Sequence, residues 1–251
     1  MNHPALKDLL YHLADDLLIL GHRNAEWTGL GPILEEDIAF ASMAQDKVGQ
    51  SWALYKLLHD LGEPDPDQVA FRREAGAFRC CHLVELPIGA YEFSLMRHFL
   101  FDTALLLRFR ALQSSSYVPL AQLARKFTGE VKYHDLHGRT WIKQLGNATV
   151  AARTRLQAAL DEALPWALGV FEAPPREAEI IGEGLFTGEA LLQAAWEERV
   201  RDILQKTQLA LPDFSTITPA YGGRAGRHTE HLAPLLDEMS EVFRIEPDGE
   251  W

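Results

Sequence analysis

Apolar residues recur every three to four positions through most of the chain, and no stretch alternates convincingly with the two-residue period of a strand. The pattern predicts helix after helix. A first helix covers 4–21, with Pro4 suited to a first turn and Gly21 to a stop. A second covers 35–61, opened by Glu35, Glu36 and Asp37 at the positive end of its dipole and closed by Gly62, with Pro64 beyond. The stretch 62–87 reads as a long connection with one helical turn about 71–79. A third helix covers 91–113, ended by Ser114, Ser115 and Ser116, and a fourth covers 119–145, ended by Gly146 and Asn147. Three more helical stretches follow, at 151–171, 188–209 and 229–243, the last with Thr229 as its cap.

The second, third and fourth helices each exceed the globular mean of about 11–12 residues. Long helices in this order imply an all-α fold: a four-helix bundle over about 4–146, with further C-terminal helices packed outside it over about 151–244. There is no internal repeat or low-complexity segment, so the expectation is one domain, 1–251.

Composition narrows the function. About half the residues are apolar and a quarter charged, as in an ordinary soluble protein. A net charge of −12 argues against general nucleic-acid binding. The two cysteines, Cys80 and Cys81, are neighbours and poorly placed to bridge each other, which suits a reducing, cytoplasmic setting. The start Met1-Asn2-His3-Pro4 lacks the basic and apolar regions of a signal peptide. The most apolar run, 99–107, contains Asp102 and falls well short of a membrane span, so no membrane is expected.

A bundle of this kind invites a metal test. A di-iron bundle takes a Glu from each of two helices and a Glu-x-x-His from each of the other two, a spacing that sets carboxylate and imidazole one turn apart on one face. The first helix offers Asp15 and Asp16. The second offers Asp46, but Gly49 stands where the His is needed, within a stripe of small residues (Ala39, Ser42, Asp46, Gly49, Ala53) that would let another helix approach closely. The third offers Asp102. The fourth offers His134 on an apolar face with Leu120, Ala124, Phe127, Val131 and Leu145, and Val131 stands where the Glu is needed. Both pairs are broken, so Asp16, Asp46, Gly49, Asp102, Val131 and His134 read as positions of a vestigial site that holds no metal. Two plainer expectations accompany this. Asp102 is a buried acid held by a hydrogen bond or an arginine, and Asp46 is alike. Glu130, His134 and His137 share a stripe that could offer three zinc ligands, or else be an exposed Glu130 and His137 flanking a core His134.

No nucleophile elbow, phosphate-binding loop or dinucleotide fingerprint is present. The closest feature is Gly222-Gly223-Arg224-Ala225-Gly226-Arg227 ahead of a helix. With His228, Arg224 and Arg227 make either an anion site, able to hold the phosphates of a CoA ester, or a basic loop that docks on an acidic partner. His228 and His231 also match His-x-x-His without a third ligand nearby.

At this loop the chain resembles a known family. The string Tyr221-Gly-Gly-Arg-Ala-Gly-Arg-His-Thr-Glu-His-Leu-Ala-Pro-Leu-Leu-Asp-Glu-Met239 looks like the C-terminal signature of the structural subunits of bacterial phenylacetyl-CoA epoxidases. The likeness continues through Glu26-Trp27, Asp37-Ile-Ala, Asp46-x-x-Gly49-Gln50, Val84-Glu85-x-Pro87-x-Gly89, Phe101-Asp102, Tyr133-His134 and Leu145-Gly146-Asn147, in order and over nearly the whole chain. His137 is a departure to which no role attaches. The resemblance implies a ferritin-like fold and a non-catalytic, structural role. It implies a homologous catalytic subunit that carries the di-iron centre, and a reductase subunit, in a complex that uses oxygen and NADPH to epoxidise the ring of phenylacetyl-CoA. Beside that catalytic relative, Asp46 and Gly49 stand for its first Glu-x-x-His, and Val131 and His134 for its second. Exposed aromatics such as Trp27, Trp52 or Trp196 would supply the interface between the two bundles.

Two other functions stay open at the level of sequence. One is an oxygenase active by itself through Asp16, Asp46, Asp102 and His134. The other is a CoA-ester-binding module built on Arg224, Arg227 and His228 that performs no chemistry.

Overall fold

A computed structural model describes residues 3–246; residues 1, 2 and 247–251 of the expected domain lie outside the described residues. Helix α1 (Pro4–Ala25) runs antiparallel to α2 (Leu34–Asp60). The connection then holds α3 (Pro66–Phe71), a 3₁₀ turn (Ala75–Ala77) and α4 (His82–Glu85), more structure than the single turn expected there. Helices α5 (Tyr91–Leu112) and α6 (Val118–Gly146) form the second antiparallel pair. Beyond them lie α7 (Val150–Leu168), α8 (Glu177–Gly182), α9 (Glu189–Leu204) and α10 (Leu232–Ile245). The result is a ferritin-like bundle of α1, α2, α5 and α6, with α7 and α9 packed on α5 outside it.

Helix α5 is the axis of the molecule. Every residue of 93–106 is buried, because the bundle covers one side of the helix and α7 and α9 cover the other. A helix buried on every side needs such cover. Close approach of α6 depends on Gly138, where an added Cβ would lie 3.0 Å from the Phe99 Cα.

Gly21 does not end the first helix. It lies inside α1, where an added Cβ would meet Val48 at 2.8 Å, so its smallness admits α2 rather than stopping the chain. Thr229 does not cap α10; that helix begins at Leu232, and the Thr229 hydroxyl donates to Glu85 instead. Among the described residues no helix is long and apolar enough to cross a membrane.

Candidate functional site at the bundle centre

The buried stripe of α2 is Phe40, Met43, Ala44, Lys47, Gln50, Ser51, Leu54, Tyr55 and Leu58. It lies one residue, or about 100° of helix, from the small-residue stripe expected to face inward. Lys47 is therefore carried into the centre, while Asp46 is half-buried and Gly49 is exposed.

At the centre the Lys47 Nζ lies 2.6 Å from Asp102 Oδ1, and both side chains are 0 % exposed. The other Asp102 oxygen lies against His98 Nδ1, one turn back on α5. Burial alone would raise the Asp102 carboxyl; the Lys47 ammonium, and then His98, hold it well below the usual carboxylate range. Asp102 is thus the buried acid held by a hydrogen bond that the sequence suggests, and the donor is a lysine.

A polar chain leads outward from this pair. His98 Nε2 and His137 Nδ1 are 3.2 Å apart, and His137 Nε2 donates to both Glu36 oxygens at 3.1 Å. Glu36 also accepts from the Tyr91 hydroxyl at 2.6 Å and the Trp141 indole at 2.7 Å. Burial opposes its charge, but His137 and Tyr91 together keep it below its ordinary value.

Along the α2–α6 seam the helices part into an open cleft of about 410 Å³, walled by Ala39, Ser42, Asp46, Glu130, Tyr133 and His134. His134 Nε2 donates to Asp46 at 2.9 Å. Burial, and then the nearby Lys47 charge, pull the His134 imidazole down to about 4. Glu130 accepts from Gln50 at 2.9 Å. Thus Glu130, His134 and His137 turn to three different partners, and among the described residues they form no common cation site. Val131 is core, with no side-chain polarity to offer.

The acids of α1 do not reach this centre. Asp15 accepts from Tyr55, Arg73 and the Arg79 amide. Asp16 accepts from the Cys81 amide at 2.8 Å and takes both Arg224 nitrogens, Nη1 and Nη2, at 2.8 Å each. This corrects the placement of Asp16 in a vestigial centre. The basic loop, read from sequence as an anion site or a segment docking on an acidic partner, likewise finds its acids within the chain. Arg224 is 1 % exposed, and although burial opposes its charge, Asp16 raises it further above its ordinary value. His228 Nδ1 meets Glu85 Oε1 at 2.7 Å. The loop docks on acids of its own chain. Arg227 alone keeps an exposed side chain, while its carbonyl accepts from His82 Nε2 at 2.7 Å.

The centre does not fit a carboxylate-bridged di-iron pair. That chemistry takes four carboxylates and two imidazoles from four helices. Here the most deeply buried carboxylate of α2, α5 and α6, Asp102, is already neutralised by an ammonium, while Glu36 is held by His137, Tyr91 and Trp141 and Asp135 by Arg199. Lys47 and His98 were missed from sequence. Their signals were Lys47 in step with Met43, Ala44, Ser51 and Leu54, and His98 four residues before Asp102 on an apolar helix.

The chain matches the family described as "Phenylacetic acid catabolic protein" over residues 1–251. It is 32% identical over 240 residues to one of the subunits of the 1,2-phenylacetyl-CoA epoxidase of Escherichia coli (strain K12), covering 95% of this chain and 96% of that relative. On a match from end to end, the chain belongs to the phenylacetic acid catabolic protein family.

Proposed function

We propose that this chain is the non-catalytic, structural subunit of a phenylacetyl-CoA epoxidase, stabilising a homologous di-iron catalytic subunit in aerobic phenylacetate breakdown. The observation that carries this is the Lys47–Asp102 pair. A fixed ammonium at the bundle centre supplies positive charge where the catalytic relative is expected to bind iron. It completes the fold without redox chemistry. A reductase subunit and the catalytic subunit are the partners in this reading, and the iron belongs to the latter.

The surface offered to the partner is drawn from exposed apolar side chains of α2 and α6, of which Tyr133 also lines the cleft. Trp52 is 52 % exposed, and Ile38, Val48, Tyr133 and Leu136 are exposed with it. Of the three tryptophans considered from sequence, Trp52 alone suits this role. Trp27 and Trp196 are buried and donate to Ser94 and to the Leu100 carbonyl, respectively.

The test is iron content of the purified chain, alone and co-purified with its catalytic partner. An iron-free lone chain and about two irons per pair support the proposal. Stoichiometric iron in the lone chain would overturn it and favour an oxygenase active by itself. The CoA-binding alternative loses its main residue, since Arg224 is committed to Asp16.

A further inference from the structure

Away from the bundle centre, three side chains of different chemistry converge where the C-terminal segment crosses the chain around α4. Cys80 Sγ lies 3.7 Å from Glu85 Oε1 and 3.9 Å from His228 Nδ1. That nitrogen lies 2.7 Å from the same carboxylate oxygen. Cys80 and Glu85 are 0 % exposed, and the His228 side chain is nearly so.

The outer atoms of these ligands are already bound. His228 Nε2 donates to the Phe78 carbonyl at 3.1 Å, which turns Nδ1 inward. Glu85 Oε2 accepts from the Thr229 amide at 2.7 Å and its hydroxyl at 2.6 Å, which turns Oε1 inward. Outer partners of this kind are what orient the ligands of a metal. The loop is also held close by Gly223, where an added Cβ would lie 2.1 Å from the Cys80 carbonyl oxygen.

We infer that Cys80 Sγ, Glu85 Oε1 and His228 Nδ1 form a binding site for a divalent cation of the zinc class. Tetrahedral zinc, with Zn–N of about 2.0–2.1 Å and Zn–S of about 2.3 Å, separates its ligand atoms by roughly 3.3–3.6 Å. The three observed separations bracket that range: to seat the ion, the His228–Glu85 pair opens by roughly 0.6 Å and the two sulfur distances close by roughly 0.1–0.4 Å. Thiolate and imidazole select zinc over magnesium or calcium.

Charge favours it as well. A dication with one thiolate and one carboxylate sums to zero, which suits a buried position. Binding displaces the Cys80 S–H proton and the proton shared between His228 Nδ1 and Glu85 Oε1. Both go to solvent, and nothing is oxidised or reduced. Three protein ligands leave one position for water. The ion ties residues 80 and 85 to residue 228, so its role is to pin the C-terminal segment to the bundle. Cys81 takes no part, which makes it the control; its amide instead serves Asp16.

The experiment uses the full chain, reduced and stripped of metal with a chelator, then titrated with Co²⁺ and afterwards Zn²⁺. The expected result is about one equivalent of Co²⁺ bound with a thiolate-to-cobalt charge-transfer band in the near ultraviolet, removed by Zn²⁺. The band should vanish in Cys80→Ser and persist in Cys81→Ser. Release of about two protons per cation by the unmodified chain tests the site without any variant. No band and no proton release would overturn the inference, leaving a His228–Glu85 ion pair with a packed thiol. A band that survives Cys80→Ser, or is lost in Cys81→Ser, would overturn it too. Iron bound at the bundle centre would involve no thiolate, so failure here is distinguishable from failure of the structural-subunit reading.

Discussion

Lys47 and Asp102 face each other at 2.6 Å from α2 and α5, each wholly shielded from solvent. Removing one partner of such a pair strands the other charge in the interior. Lys47→Met should therefore cost about 3–5 kcal/mol of unfolding free energy in urea titration. Lys47→Met combined with Asp102→Leu should recover most of the loss, because a buried pair replaced by apolar groups is often neutral. Equal losses in the single and double variants would show that the pair is not the cause.

The His134 imidazole gives the fold a pH dependence of definite sign. Its value in the folded chain is about 4, lowered chiefly by burial and then by Lys47, against about 6.5 in the unfolded chain. The unfolded state therefore binds more protons between these values. Stability is full above about pH 6.5 and declines as the pH falls toward 4, by on the order of 3 kcal/mol for this group. Asp46, Asp102, His98 and Lys47 surround it, and the charge of Asp102 is lost only at still lower pH. His134→Gln should flatten the slope of urea midpoint against pH across this window.

Arg224 is expected to be structural in any assay. Arg224→Ala leaves Asp16 without its two guanidinium bonds and should cost about 3–5 kcal/mol. Arg227→Ala should change stability by no more than about 0.5 kcal/mol, since its side chain is exposed. Thermal unfolding of the two variants side by side checks this, and comparable losses would refute it.

On the proposed function, Trp52→Glu should leave the fold of the lone chain nearly unchanged and weaken its co-purification with the catalytic subunit at least tenfold, a change of about 1.4 kcal/mol in binding. Undiminished co-purification would place the partner elsewhere.

Helix periodicity carries the architecture well. The repeats predict the four long helices to within a few residues, and the apolar face of α6 with Val131 and His134 is the face that packs. The error on α2 is one of rotation. Its inward face includes Lys47, Gln50 and Ser51, while Ala39, Ser42 and Gly49 look apolar or small but face the cleft or solvent. Where a buried charge sits on the packed stripe, hydrophobicity alone points the helix the wrong way.

What is local could be read from the residues alone: the helical period, the ends set at Gly62 and Asn147, the broken Glu-x-x-His spacings and the family likeness. Which distant groups meet was settled by the closing of the fold. Asp16 and Arg224 are 208 residues apart, Lys47 and Asp102 are 55 apart, and Cys80 and His228 are 148 apart. Ion pairs and ligand sets of this kind depend on how helices pack and on which loop returns to cover them. Repeat spacing governs only residues a few turns apart on one helix, so the chemistry of this chain's interior becomes legible only once the bundle is closed.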